Sequence, residues 1–176
     1  MDEAELLGFT EWMVGCERAL LRSAYLLTGD LHRAQDLVQE ALVKVALRWP
    51  RLRDGDPLAY ARRVVARDHV SWWRRRRRET GMAEVPEVPG TPGAHGRGTA
   101  ASSDPETALV VQRALARLTP AQRAVLVLRH FDDLTERQTA EVLGVSTGTV
   151  KSQNAAALAR LRTGAPELLD LIGETR

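Results

Sequence analysis

The chain has 176 residues, 44% of them hydrophobic and 27% charged, with 25 Lys and Arg facing 23 Asp and Glu for a formal net charge of +2. That length suits one ordinary domain or two small ones, and the near balance of charge means that any basic surface must come from local clustering. Cys16 is the only cysteine, which excludes an intrachain disulfide and a zinc site built from several thiolates.

The first residues, MDEAELLGFTEW, are acidic and lack the basic start and apolar run of a secretion signal. No apolar stretch approaches the ~20 residues of a membrane span, so the protein is expected in the cytoplasm, without membrane insertion. Trp12, Cys16, Ala19, Leu20, Ser23 and Leu27 recur near helical spacing and predict a first helix. Thr28-Gly29-Asp30 then supplies a glycine for a left-handed stop and an aspartate to cap the next helix. In that second helix Val38, Ala41, Leu42, Val45 and Trp49 form an inward stripe, Asp36, Glu40 and Lys44 take another face, and Pro50 is expected to end it. Asp56-Pro57 opens a third helix with a cap and a first-turn proline, running from Leu58 through VSWWRRRRRE.

Five successive arginines on a helix advance 100° each, so two or three could face phosphates while the rest stay solvated. Trp72 and Trp73 diverge by the same angle. Trp72, in register with Leu58, Ala61, Val65 and His69, is expected in the core, and Trp73 near the basic surface. Stacking an unpaired base on such a ring is worth about 1 to 3 kcal/mol, comparable to unstacking one base step.

From Thr80 to Ser103 the chain turns to Pro, Gly and small residues, the composition of a flexible linker. Asp104-Pro105-Glu106 restarts helical structure, with Leu109, Val111, Leu115 and Leu118 on an apolar side. Thr119-Pro-Ala-Gln122 begins a helix to Phe131, Asp132-Asp133 reads as a solvated turn, and Thr135-Glu-Arg-Gln138 forms a second capping box. A short helix stops at Gly144, and Ser146 caps the last long one. The final APELLDLIGETR can form a short helix with Leu168, Leu169 and Ile172 on its apolar side. The fold class is therefore all-α: two small helical domains, 1–79 and 104–176, joined by a Pro/Gly-rich linker over 80–103.

Thr135 to Leu161 has the order of a helix-turn-helix, with a simple αα-hairpin as the alternative. Ala140 is small where two helices cross, Gly144 permits the reversal, and Val150, Leu158 and Leu161 hold the second helix to the domain. Arg137, Ser146, Thr147, Thr149, Lys151, Ser152 and Gln153 then stand where donors and a cation can reach bases and phosphates. His32, His69, His95 and His130 lack ligand spacing, so no metal or cofactor is expected. Cys16, on the first helix's apolar stripe, reads as a buried small hydrophobe.

The segments TERQTAEVLGVSTGTVKSQNAAALARLR, LLRSAYLLTGDLHRAQDLVQEALVKVALRW and AYARRVVARDHVSWWRRRRR resemble regions 4 and 2 of bacterial extracytoplasmic-function sigma factors, of the actinobacterial sigma-E-like group. The resemblance covers most of residues 9 to 79 and 104 to 163. It implies no enzyme but a transcription initiation factor that binds core RNA polymerase at its β′ clamp and β flap. Region 2 would read and open the −10 element of promoter DNA, and region 4 would read the −35 element. Asp36, Gln39, Glu40 and Lys44 fall on the family's core-binding helix, although Gln35 stands where an acidic residue is usual. Arg62, Arg63, Arg67, Trp73, Arg74, Arg75 and Arg77 fall in the −10 segment, with Arg67 where Asn is common. Ala156 replaces a usual Arg, which predicts weaker −35 affinity.

Promoter elements some 25 base pairs apart are about 85 Å apart. Allowing domain radii near 13 Å leaves roughly 60 Å for a linker that reaches about 80 Å only when extended. Two modules tied by slack chain are thus expected to read a promoter only when stretched along the polymerase, as a monomer when free, with an anti-sigma protein as a possible further partner. Two other classes compete. A stand-alone helix-turn-helix regulator leaves the arginine run and acidic helix without a joint purpose, and a recombinase needs a nucleophile, for which Ser23 or Tyr25 has no evident partner in the sequence.

Overall fold

The computed structural model describes residues 2–80 and 105–174, and every regular element among them is helical. The first is α1 (Glu3–Thr28), whose N-terminus is closed by a capping box between Asp2 and Glu5. Gly29 ends it at φ 70°, in the left-handed region, and Asp30 accepts from the Arg33 N–H to start α2 (Leu31–Ala46). Cys16, Leu20, Ala24 and Leu27 of α1 meet Leu37, Val38, Ala41 and Val45 of α2 in a closed interior. Ala19 lies at the edge of that stripe and is exposed, unlike the sequence expectation.

The second helix stops four residues before Pro50, not at it. A proline has no N–H for the Ala46 carbonyl, and its ring would strike that carbonyl, so the helix must end by Ala46. Pro50 instead sits in the first turn of a short α3 (Trp49–Leu52). This break turns Trp49 inward, where its ring meets Phe9 edge-on at 5.4 Å and Trp12 at 5.5 Å. Asp56 then caps α4 (Pro57–Thr80), accepting from the Ala59 N–H, and Ala61, Val64, Val65 and His69 face inward. Trp72 departs from its expected place in the core. It is half-buried at the end of this face, with the Arg33 guanidinium 4.7 Å from its ring centre and Trp73 set edge-on to it at 6.5 Å. The neighbouring helices do not extend far enough to close over it, and a cation covers it instead.

The expected linker lies outside the described residues except for Thr80. Structure resumes at α5 (Pro105–Ala116), where Val111, Ala114 and Leu115 are buried; Leu118, just past the helix, is buried too. Leu109 is about 200° around the helix from Val111 and remains exposed, contrary to expectation. Thr119 and Gln122 form the capping box of α6 (Pro120–Leu126), which runs into a π turn over Val127–Phe131. The helix-turn-helix pair, α7 (Glu136–Leu143) and α8 (Thr147–Gly164), follows, and α9 (Pro166–Glu174) covers the end with Leu168 and Ile172 buried.

The two halves do not stand apart. Residues from α1, α2 and α4 share one continuous apolar cluster with residues from α5, α6, α8 and α9, and a smaller cluster joins Ala66 of α4 to Leu128 and Val142. The two helical halves expected from the sequence are present, and they also pack directly on each other. Apolar surface left over on each half after its own helices pack is removed from water by the other.

Candidate nucleic-acid interface

In the helix-turn-helix, Thr135 accepts from the Gln138 N–H while the Gln138 side chain accepts from the Thr135 N–H, which fixes the start of α7. Gly144 ends it at φ 66°, and the Val145 N–H returns to the Ala140 carbonyl at 3.1 Å, the wide closure of a left-handed stop. Ala140, Val125 and Val150 fill the crossing between α6, α7 and α8. The geometry is that of a helix-turn-helix held by the small residue and the glycine the sequence pointed to.

The start of α8 faces outward. Ser146, Thr147, Thr149, Lys151 and Ser152 are exposed, as is Arg137 on α7, and Gln153 is half-buried. No acidic residue occupies the first turn of α8, so its unpaired N–H groups and dipole favour an anion. The hydroxyls divide by role. Ser146 Oγ accepts from the Thr149 N–H and stands 2.9 Å from Thr149 Oγ1, and Ser152 Oγ donates to the Thr149 carbonyl. These three are tied to the backbone of the turn, whereas Thr147, Arg137 and Gln153 make no side-chain hydrogen bond among the described residues. Lys151 Nζ is 3.6 Å from Glu136 Oε2, with 66% of its side chain exposed, a surface pair that a phosphate can displace. Asn154 is held by His130 of the π turn at 3.1 Å, which anchors α8 rather than offering Asn154 as a reader.

The −10 candidates on α4 have mixed environments. Arg67 Nε donates to the Val142 carbonyl at 3.0 Å. Arg62 Nε is 3.9 Å from Asp132 Oδ1, and Arg63 is half-buried. Arg75 is exposed and Trp73 half-buried; Arg74 and Arg77 are on the same helix, with side chains outside the described set. Asp132 is no solvated turn residue, contrary to the sequence expectation: its side chain is 5% exposed and accepts from Ser23 Oγ at 2.6 Å. Burial pushes its carboxyl above the ordinary carboxylate range, against the Ser23 hydrogen bond and the nearby Arg62 and Arg22 that pull it down. Ser23, without an evident partner in the sequence, therefore has one across the interface.

Two residues at that interface carried no signal by themselves in the sequence. Arg123 of α6 is 5% exposed, donating from Nε to the Leu115 carbonyl and from Nη1 to the Leu27 carbonyl at 3.1 Å. Burial lowers its pKa to about 10, so it remains charged at neutral pH. Gln112 Nε2 donates to the Tyr25 carbonyl at 3.1 Å. Beside them His69 is buried, neither ring nitrogen has a hydrogen-bond partner among the described residues, and burial together with Arg123 and Arg33 lowers its pKa to about 3.

On α2, Asp36, Gln39 and Glu40 are exposed, whereas Lys44 Nζ pairs with Asp68 Oδ2 at 2.6 Å and braces α2 against α4. Val43 and Leu47, 57% and 76% exposed, continue the Asp36 and Glu40 row at helical spacing and form an apolar end to that face. Their signal was the i, i+4, i+7, i+11 register, which reads equally well as a second inward stripe. Among the described residues no three His, Cys, Asp or Glu side chains gather as metal ligands, and no helix is long and apolar enough to cross a membrane.

Residues 14–79 match the family described as Sigma-70 region 2, and residues 108–161 match Sigma-70, region 4. The chain is 41% identical over 170 residues to the RNA polymerase sigma-E factor of Streptomyces avermitilis, covering 92% of this chain and 87% of that one. It is 34% identical over 145 residues to the ECF RNA polymerase sigma factor ShbA of Streptomyces griseus, covering 77% and 74% of the two chains. In fold it resembles the sigma factor RpoE of Bartonella quintana, solved in complex with the anti-sigma factor NepR, with a TM-score of 0.63 at 24% identity over 88% of this chain and 94% of that one.

Proposed function

The chain belongs to the extracytoplasmic-function sigma factors of bacterial RNA polymerase, and from that premise we propose how its surfaces divide the work of promoter-directed initiation. Binding core polymerase and directing it to promoters is the activity of the family. The region 4 half, 104–176, reads the −35 element through the outward end of α8. Thr147, Lys151 and Gln153 meet bases and phosphates with Arg137, while Ser146, Thr149 and Ser152 hold the turn and present its N–H groups. The region 2 half, 1–79, docks on the β′ clamp through Asp36, Gln39 and Glu40, with Val43 and Leu47 as the apolar part of that contact. Lys44 keeps this helix seated on α4. The −10 element falls to Arg62, Arg63, Arg67, Trp73, Arg74, Arg75 and Arg77, and residues 80–103 connect the halves.

The observation that carries this reading is the polar, cap-ordered start of α8, where Ser146, Thr147, Thr149, Lys151 and Ser152 face solvent together while Val150, Ala157 and Leu161 seat the helix on the domain. An αα-hairpin serving packing alone has no need of a lysine and donors gathered at that end. The protein acts as a DNA-binding regulator in the cytoplasm with no catalytic step of its own. The fold likeness to a sigma factor bound by an anti-sigma factor supports a protein inhibitor as a further partner.

Closure has a consequence for this reading. A compact chain of this length has a radius of gyration of about 16 Å, and elements about 85 Å apart cannot both be reached by such a body. The halves must separate on the polymerase. Run-off transcription with core polymerase over a library of genomic promoters tests the function: specific transcripts above a mock addition are expected, and their absence overturns it. A gel shift on duplex DNA without polymerase separates the stand-alone regulator, which binds tightly, from this factor, which binds weakly.

A further inference from the structure

We infer that Arg67 and Arg123 form a reciprocal latch in which each half of the protein caps the C-terminal end of a helix in the other, keeping the factor closed and its −10 surface engaged until polymerase separates the halves. The inference rests on the promoter-reading function proposed above.

The last carbonyls of a helix have no partner within it and carry its negative end. Neither α1 nor α7 has a basic residue in its own last turn, and both stop at a glycine in the left-handed region, Gly29 and Gly144. In both cases an arginine of the other half donates to a terminal carbonyl, and Tyr25, which already accepts from the Gly29 N–H, gains a second donor from Gln112. Arg123 and Gln112, on α6 and α5, donate to the Leu27 and Tyr25 carbonyls at the end of α1. Arg67, on α4, donates to the Val142 carbonyl at the end of α7. Gly144 makes room for its donor: a Cβ there would stand 3.0 Å from Arg67 Nη2, whereas one on Gly29 would meet Gln112 Oε1 and Arg123 Nη1 at ordinary contact distances of 3.5 and 4.0 Å. The same bare glycine that lets the helix-turn-helix reverse therefore admits the arginine that closes it.

In the closed form Arg67 Nε is committed to the Val142 carbonyl, which tethers this exposed −10 candidate to region 4 until the halves part. The −35 tip of α8 stays outside the latch, which places the control on region 2. A ligand that binds only the open form has its affinity lowered by the fraction of protein that is open, so loosening the latch tightens core binding without a new contact.

The test uses the full chain with Gln112→Ala and Arg123→Met. Small-angle scattering of the free protein is expected to give a radius of gyration near that of a compact chain, with a larger radius for both variants. Titration of core polymerase is expected to show tighter binding, about fivefold for Gln112→Ala and more than tenfold for Arg123→Met, from the loss of one neutral and one charged hydrogen bond. Run-off transcription at saturating factor is expected to be unchanged. Variants as compact as the parent, or with no tighter core binding, overturn the latch, as does a parent that is already extended. Should Arg123→Met lose helical circular dichroism, the Gln112→Ala result decides alone. Tighter core binding in the variants alongside no specific transcript from any of them would sustain the latch and defeat the promoter-reading function.

Discussion

Ser23 Oγ donates to Asp132 Oδ1 at 2.6 Å, joining α1 to the residue that closes the π turn 109 positions later. The π turn brings this about: its wider closure, with the Asp132 N–H returning to the Val127 carbonyl, places the carboxylate toward α1 instead of solvent. Asp132 Oδ2 has no hydrogen-bond partner among the described residues. Ser23→Ala removes the one short bond and leaves the buried carboxylate worse satisfied, with an expected loss of about 1 to 3 kcal/mol. Asp132→Asn removes the charge whose burial is unfavourable, and its loss should be smaller. Urea unfolding of the two variants beside the parent checks the order.

Acid should weaken the fold through His69. Above pH ~6.5 the ring is neutral in both folded and unfolded chains; below it the unfolded ring takes a proton, while the folded one stays neutral until its pKa of about 3. Stability is therefore fully present above the unfolded value and is lost as pH falls toward 3. Between pH 7 and pH 5 the loss from this group is about 2 kcal/mol. The raised pKa of Asp132 acts in the opposite direction at acid pH, and it does so in any His69 variant too. Comparing unfolding free energies of the parent and His69→Leu at the two pH values isolates the histidine, and an equal pH dependence in both would refute its part.

Gly144→Ala should cost more than Gly29→Ala. Both residues are left-handed, at φ 66° and 70°, where a Cβ costs roughly 1 to 2 kcal/mol. At Gly144 the added carbon also stands 3.0 Å from the Arg67 guanidinium, against 3.5 Å for the nearest atom at Gly29. Thermal melts of the two alanine variants should differ in that order, and the Gly144 variant should also lose −35 binding because the turn sets the aim of α8.

Ser146 and Lys151 separate folding from reading. Ser146→Ala removes the N-cap of α8 and should cost about 1 kcal/mol of stability. Lys151→Ala breaks only an exposed pair with Glu136 and should leave stability within about 0.5 kcal/mol. Its effect belongs to DNA: promoter affinity of the holoenzyme should fall, and the slope of log affinity against log salt should shrink by about 0.9, the loss of one phosphate contact. Salt titrations of promoter binding make the measurement.

Leu47 is 76% exposed at the end of the Asp36 and Glu40 face. Leu47→Glu buries nothing and breaks nothing in the free protein, so its melting temperature should match the parent's. Core polymerase affinity should drop severalfold if this face meets the clamp, because a charge would have to be desolvated where an apolar side chain now stands. Unaltered core affinity would remove Leu47 from the docking surface.

Much of this protein is written locally. The capping boxes at Thr119 and Thr135, the caps at Asp30, Asp56 and Ser146, and the stops at Gly29 and Gly144 each act within a few residues, so they were readable one turn at a time. The inward rows of α2, α4 and α8 follow from helical period alone, as does the outward start of α8. Such features determined an all-α chain with a helix-turn-helix and an acidic face on its second helix, and their order along the chain carried the likeness to sigma regions 2 and 4. Pro50, Trp72 and Leu109 mark where local pattern fails, since a period says which residues share a face but not where the neighbouring helices end.

Only the tertiary structure decided what the two halves do to each other. Asp132 looked like a surface turn, Arg67 like a −10 contact, and Gln112 and Arg123 like ordinary polar residues on separate helices. Their roles depend on carbonyls and hydroxyls 75 to 109 positions away, and no spacing within a helix encodes a partner at that distance. A helix end exposes unpaired carbonyls whatever its sequence; which arginine answers them is settled by how the apolar faces of the two halves come together.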